Sequence, residues 1–212
     1  MAQRLQAMET PGYENGFALT MLESRLSTPL KRKKPTIYFV NSMSDLFHEE
    51  IPFDFIDKVF ATIREANWHT FQILTKRADR LAEYFKGKNA PSNAWLGVSV
   101  EDQKYGLPRI DLLRSVDATV RFLSVEPLLE DLGEMNLANI HWVIVGGESG
   151  PKARPMQLEW VESIQAQCEA QNAAFFFKQW GRWGVDGKPR AKKLNGRLIN
   201  GRTYDEMPAA SL

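Results

Sequence analysis

Trp142-Val-Ile-Val-Gly-Gly-Glu-Ser-Gly150 is an apolar run that stops abruptly in a glycine-rich polar cluster. A short run without polar alternation reads as a strand covered on both faces, as parallel sheets require. Working outward, the pattern recurs at Ile37-Tyr-Phe-Val40, Phe71-Gln-Ile-Leu74, Trp95-Leu-Gly-Val98, Val120-Arg-Phe-Leu123 and Ala174-Phe-Phe-Phe177. Each run ends in polar residues: Asn41-Ser42-Met43-Ser44-Asp45, Thr75-Lys76-Arg77, Ser99-Val100-Glu101-Asp102, Ser124-Val125-Glu126-Pro127 and Lys178-Gln179-Trp180-Gly181. Polar groups at the C-terminal ends of parallel strands mark the functional face of α/β folds.

Between these runs lie helical patterns. Phe55, Ile56, Val59, Phe60 and Ile63 recur at helical spacing after Pro52, and Asp79 to Phe85 reads as a second helix stopped around Gly87. Asp102 is the expected N-cap of a third helical region carrying Ile110, Leu112 and Leu113, and Leu158 to Gln171 forms a fourth, docked through Trp160, Val161 and Ile164. Glu130 to Asn139 holds at most a short turn. Strands alternating with helices allow a doubly wound sheet or a (β/α) barrel. Polar endings after every strand favour the barrel, because a switch-point fold gathers them at one crevice. About six parallel strands are too few to close an eight-stranded barrel, so the expected fold is α/β, a partial TIM-like barrel. Residues 1–181 are assigned to it, with 182–212 as a C-terminal lid or hairpin extension built around the turn pair Asn200-Gly201.

Composition excludes several classes. The 212 residues are 43% hydrophobic and 25% charged with a net charge of +1, which gives no general pull toward nucleic acid or an anionic membrane. No apolar stretch approaches the ~20 residues of a membrane span, and the N-terminus has no signal core, so the expected location is cytoplasmic. The one cysteine, Cys168, has helical spacing with Val161 and Ile164, as a small buried hydrophobe would. It cannot by itself form a disulfide, a cysteine-ligated cluster or a Cys-rich zinc site. His69 and His141 precede strands, which leaves only His48 near the strand-end face and argues against a three-histidine metal site.

The candidate chemistry lies at the strand ends. Glu101, Glu126 and Glu148 follow three successive strands, and converging carboxylates suit proton transfer. Structural ion pairs with Lys76, Arg77 or Lys178 are the alternative. Lys76 and Lys178 would neutralise an anionic ligand or act with a lowered pKa. Gly146 and Gly147 would let backbone N–H groups approach a ligand, although a tight strand-to-loop turn explains them equally well. Asn41, Ser42, Ser44, Asp45, Ser99 and Ser124 would add hydrogen bonds. Trp180 and Trp183 offer stacking surfaces, although packing of the last strand is their more ordinary role. Arg190, Lys192, Lys193, Arg197 and Arg202 form a basic group in the tail that would meet phosphates or simply be a solvated face.

Phe39-Val-Asn-Ser-Met-Ser-Asp-Leu-Phe-His48, Leu74-Thr-Lys-Arg77, Trp95-Leu-Gly-Val-Ser-Val-Glu101, Ser124-Val-Glu-Pro-Leu128, Val143-Ile-Val-Gly-Gly-Glu-Ser-Gly150 and Phe176-Phe-Lys-Gln-Trp-Gly181 together closely resemble the phage and prophage three-cysteine-motif family. This group of unknown function is found in phage and bacterial genomes, and the resemblance extends to the closing Asn200-Gly-Arg-Thr-Tyr-Asp-Glu206 segment. Its members look like radical S-adenosylmethionine (SAM) proteins, partial TIM barrels whose cysteines after the first strand ligate a [4Fe–4S] cluster. Strand-end placement, in a complete relative, assigns cofactor contacts to Asn41, Ser42, Ser124, Gly146, Gly147 and Glu148, and catalytic roles to Lys76, Glu101, Glu126 and Lys178. In relatives the cysteine loop precedes a segment similar to Met1-Ala-Gln-Arg-Leu-Gln, where this chain starts. The chain is therefore expected to lack the first strand and the cluster, to bind no cofactor alone, and to expose the edge at Ile37 to Val40 to self-association or a protein partner. Two further readings stay open: a cluster-independent barrel enzyme acting on a phosphorylated or nucleotide-like small molecule, and a non-catalytic binding or assembly module.

Overall fold

The computed structural model describes residues 2–10, 14–16, 18–41 and 44–208. Its strands are β1 Ile37–Val40, β2 Thr70–Thr75, β3 Ala94–Ser99, β4 Val120–Val125, β5 Trp142–Gly146 and β6 Ala174–Gln179. Its helices are α1 Ala2–Ala7, α2 Thr28–Lys31, α3 Phe53–Glu65, α4 Ala78–Tyr84, α5 Pro108–Arg114, α6 Leu158–Ala170 and α7 Lys192–Asn195. Each apolar run of the sequence is a strand.

All six strands are parallel and lie in chain order, β1-β2-β3-β4-β5-β6. A doubly wound sheet would reverse that order midway. The unreversed order defines a curled sheet of barrel type, open between β6 and β1.

The continuous apolar runs arise because both faces of the sheet are covered. Phe71, Ile73, Leu96, Val98, Leu123, Val125, Val143, Val145, Phe175 and Phe177 belong to the main core, which includes Ile56, Phe60 and Ile63 of α3, Leu113 of α5 and Val161, Ile164 and Cys168 of α6. The alternate residues Trp95, Val120, Phe122 and Trp142 form a separate apolar layer, flanked by Leu74, Ile144, Ala174 and Phe176. Trp142 stands edge-on to Trp95 at 6.1 Å and to Phe176 at 5.9 Å. Gly97 belongs to this second layer for a steric reason: a Cβ there would lie 2.4 Å from the ring of Phe122, its register partner on β4.

One local assignment differs from the sequence expectation. Asp102 does not cap α5; its Oδ1 accepts the N–H groups of Tyr105 and Gly106 in a turn, and the helix begins only at Pro108. The β4–β5 connection, expected to hold at most a short turn, has no helix yet does a helix's work, burying Leu132, Met135, Leu137 and Ile140. Its backbone groups are satisfied by two glutamines one turn apart, Gln167 of α6 and Gln171 at the end of that helix. Gln167 accepts from Met135 N–H and donates to Gly133 O, while Gln171 accepts from Leu137 N–H and donates to Met135 O. Those four bonds meet the requirement that buried backbone groups find partners.

The tail 196–207 makes the expected hairpin turn. Ile199 and Arg202 pair across Asn200 (φ 49°) and Gly201 (φ 80°), the left-handed conformations such a turn needs. It then runs along the outer edge of β6, where Phe176 bridges Asp205 and Phe177 N–H donates to Tyr204 O. That edge is thereby covered.

Candidate functional site

Strand register decides which polar endings meet. Ser99 of β3 lies opposite Ser124 of β4, and both are buried. Two residues further along each segment come Glu101 and Glu126, just past the ends of these adjacent strands. Val100 N–H donates to Ser124 O and Leu129 N–H to Glu101 O, which ties the two post-strand segments together.

Glu101 is 7% exposed and lies between two cations, Lys76 from the end of β2 and Arg109 from α5. Arg109 Nη1 donates to Glu101 Oε2 at 2.9 Å and to Ser99 O at 2.7 Å, which fixes the guanidinium against the strand end. Glu126 Oε2 accepts from Lys178 Nζ of β6 at 3.1 Å and from Ser124 Oγ at 3.4 Å. Both lysines are more than half exposed, whereas the two carboxylates are largely buried. The rim thus holds two carboxylates, each paired with a solvent-exposed lysine, and Glu101 also with Arg109.

The glycine loop is shaped by packing. A Cβ on Gly146 would lie 2.6 Å from Glu126 Oε1, and one on Gly147 would lie 2.0 Å from Trp180 O. The Gly147 N–H donates to Gln179 O and its carbonyl accepts from Gln179 Nε2, closing the irregularity between β5 and β6. Gly147 therefore offers no spare amide to a phosphate. Glu148 turns to Arg154, accepting from its backbone N–H at 2.8 Å and from Nε and Nη2 at 2.9 Å. This paired guanidinium holds the Glu148 carboxyl down at about 2.

At the other end of the row, Asn41 closes β1 in a left-handed conformation (φ 59°) and donates to Ser44 Oγ. Ser42 lies outside the described residues. Asp45 locks this loop to β2, accepting from Thr75 Oγ1, the Lys76 N–H and Arg77 Nη1. Arg77 thus serves Asp45 and Lys76 serves Glu101. Lys76, Glu101, Ser124, Glu126 and Lys178 form one row, while Glu148 forms its own pair.

Sequence reasoning passed over Arg109 and Arg154. The available signal was a lone arginine shortly after each strand-end glutamate, Arg109 after Glu101 and Arg154 after Glu148. Four of the remaining candidates have structural partners: Trp180 Nε1 donates to Leu198 O, Trp183 Nε1 to Ala153 O, and Arg190 and Arg197 pair with Asp186 and Asp205. His69 and His141 each accept a backbone N–H of a neighbouring chain segment through Nδ1, from Thr36 and Arg121, and burial pushes the His141 imidazole below its usual value. Cys168 is fully buried in α6, and burial raises its thiol to about 12. Among the described residues no group of three His, Cys, Asp or Glu is placed to hold a metal ion, and no helix is long and apolar enough to cross a membrane.

Fold and rim together define an open (β/α) barrel protein with a polar strand-end face. The chain belongs to the family described as protein of unknown function DUF5131, whose model matches residues 1–208. No curated protein and no solved structure matches it.

Proposed function

We propose that the strand-end rim binds a small molecule carrying an amino-acid group, with S-adenosylmethionine as the ligand implied by the radical-SAM resemblance. One observation carries this reading: the carboxylates of Glu101, which is buried, and Glu126, which is partly buried, follow adjacent strands, and each is paired with a solvent-facing lysine. A ligand ammonium would replace the lysine on either carboxylate, and the released Lys76 or Lys178 would meet the ligand carboxylate. Such exchange conserves charge pairing, so little desolvation energy is lost on binding. The buried Ser99 and Ser124 hydroxyls lie beneath as further hydrogen-bonding groups.

The residues present do not fit a [4Fe–4S] cluster. Cys168 is buried in α6 with a thiol that resists ionisation, and a cluster needs several thiolates. No cluster-dependent step is therefore assigned to this chain. The phosphorylated-ligand reading has less support, because the rim cations already have carboxylate partners and the Gly147 amide is bonded.

Titration calorimetry with S-adenosylmethionine tests the proposal. Saturable binding is expected, weakened about tenfold or more by Glu126→Gln and by Glu101→Gln. An absence of binding heat, or an affinity unchanged from the wild type in both variants, would overturn it.

A further inference from the structure

The tail covers the outer edge of β6, but among the described residues nothing covers the edge of β1. Thr70 N–H donates to Thr36 O and Thr36 N–H donates to His69 Nδ1, so the even-numbered residues of this segment direct their backbone groups toward β2. By the alternation of a parallel ladder, the N–H and C=O groups of Ile37 and Phe39 face outward. The same two residues are the exposed apolar side chains of the strand, at 55% and 48%. Proline and charge, the usual guards of an open edge, are absent from Ile37-Tyr-Phe-Val40.

The flanks of β1 carry opposite charge. Lys31, Arg32, Lys33 and Lys34 precede it and are all exposed, while the exposed Glu49 and Glu50 follow it. We infer that β1 is a self-association edge, pairing antiparallel with β1 of a second copy of this chain about a two-fold axis through Tyr38. This register sets Ile37 opposite Phe39 of the other copy, so all the outward backbone groups meet in about four ladder hydrogen bonds. It also places Ile37 and Phe39 on one face as cross-strand apolar pairs. Antiparallel pairing directs the basic flank of each copy toward the acidic flank of its mate. A parallel pairing would set like charges together. The short strand makes this a weak, reversible dimer of a type that salt dissociates.

Sedimentation equilibrium of the whole chain at low salt, over a wide concentration range, tests the inference. The mass should rise from 24.2 kDa toward twice that value, and added salt should lower it. Ile37→Pro removes an outward N–H without touching the β2 ladder, and Phe39→Lys places charge in the apolar pair. Each should weaken association at least tenfold while thermal melting by circular dichroism stays unchanged. Carbodiimide coupling of a mixture of isotopically light and heavy chains should give light–heavy links between Lys33 or Lys34 and Glu49 or Glu50. A mass fixed at one chain throughout would overturn the inference and leave the edge to a strand of a different protein. Undiminished association of both variants, or links mapping only to other surfaces, would equally overturn it.

Discussion

Gly97 provides the sharpest test of how the concave apolar layer is packed. A Cβ at this position would lie 2.4 Å from Cε2 and Cζ of Phe122 and 2.6 Å from Cδ2. Carbon atoms in contact prefer about 3.5–4.0 Å, so the ring would have to retreat by about 1 Å or more. It has little freedom to do so. Phe122 is 1% exposed, and its other neighbours include the Trp142 ring at 5.9 Å. Overpacking of this kind costs about 1–3 kcal/mol, while replacing a strand glycine returns about 0.5–1 kcal/mol of chain entropy. Gly97→Ala is therefore expected to destabilise by about 1–2 kcal/mol, or a fall in Tm of about 2–4 °C per kcal/mol for a chain of this size. Phe122→Ala alone should cost about 3–5 kcal/mol through the cavity it leaves. In the double variant the methyl group at 97 enters that cavity, so the combined loss should fall short of the sum by about 1–3 kcal/mol. Urea unfolding followed by tryptophan fluorescence measures all three, with Trp95 and Trp142 as reporters within the same layer. A neutral Gly97→Ala, or additivity within about 0.5 kcal/mol, would refute the packing argument.

Two further outcomes follow from the rim. Glu101→Gln strips the charge partner from the mostly buried Arg109 and should cost about 1.5–3 kcal/mol in urea unfolding, whereas Lys76→Ala, removing a well-exposed cation from the same carboxylate, should cost less than about 1 kcal/mol; equal losses would contradict the assigned partners. The Glu148 carboxyl is held at about 2 by Arg154, below its ordinary 4.5, so its contribution is complete above 4.5 and is lost as pH falls toward 2. Arg154→Ala should flatten the fall of Tm across that acid window, and an unchanged pH profile would show that the pair does not contribute.

The sequence by itself determined the strands, because each is a short apolar run bounded by turn chemistry, and both signals are local. Barrel over doubly wound sheet was legible as well: polar endings after every run implied a single strand-end face, and the unreversed order β1 to β6 agrees. The Asn200-Gly201 turn was readable from two residues. What the runs could not reveal was facing. In a strand apolar on both sides, nothing local separates Leu96 of the helix-covered core from Trp95 of the concave layer, so the need for Gly97 beneath Phe122 was invisible. The site was half legible for a related reason. The glutamates and lysines stood out at strand ends, but their pairing depends on long side chains reaching across neighbouring elements. Arg77 and Lys76 are adjacent in sequence, yet one serves Asp45 and the other Glu101. Arg109 reaches Glu101 only because α5 folds back over the end of β3. The glycines of the 146–147 loop were noticed for their permissive backbone, whereas tertiary structure places a carboxylate above one and a carbonyl against the other. Local chemistry fixed which residues end the strands, and non-local packing decided what each of them touches.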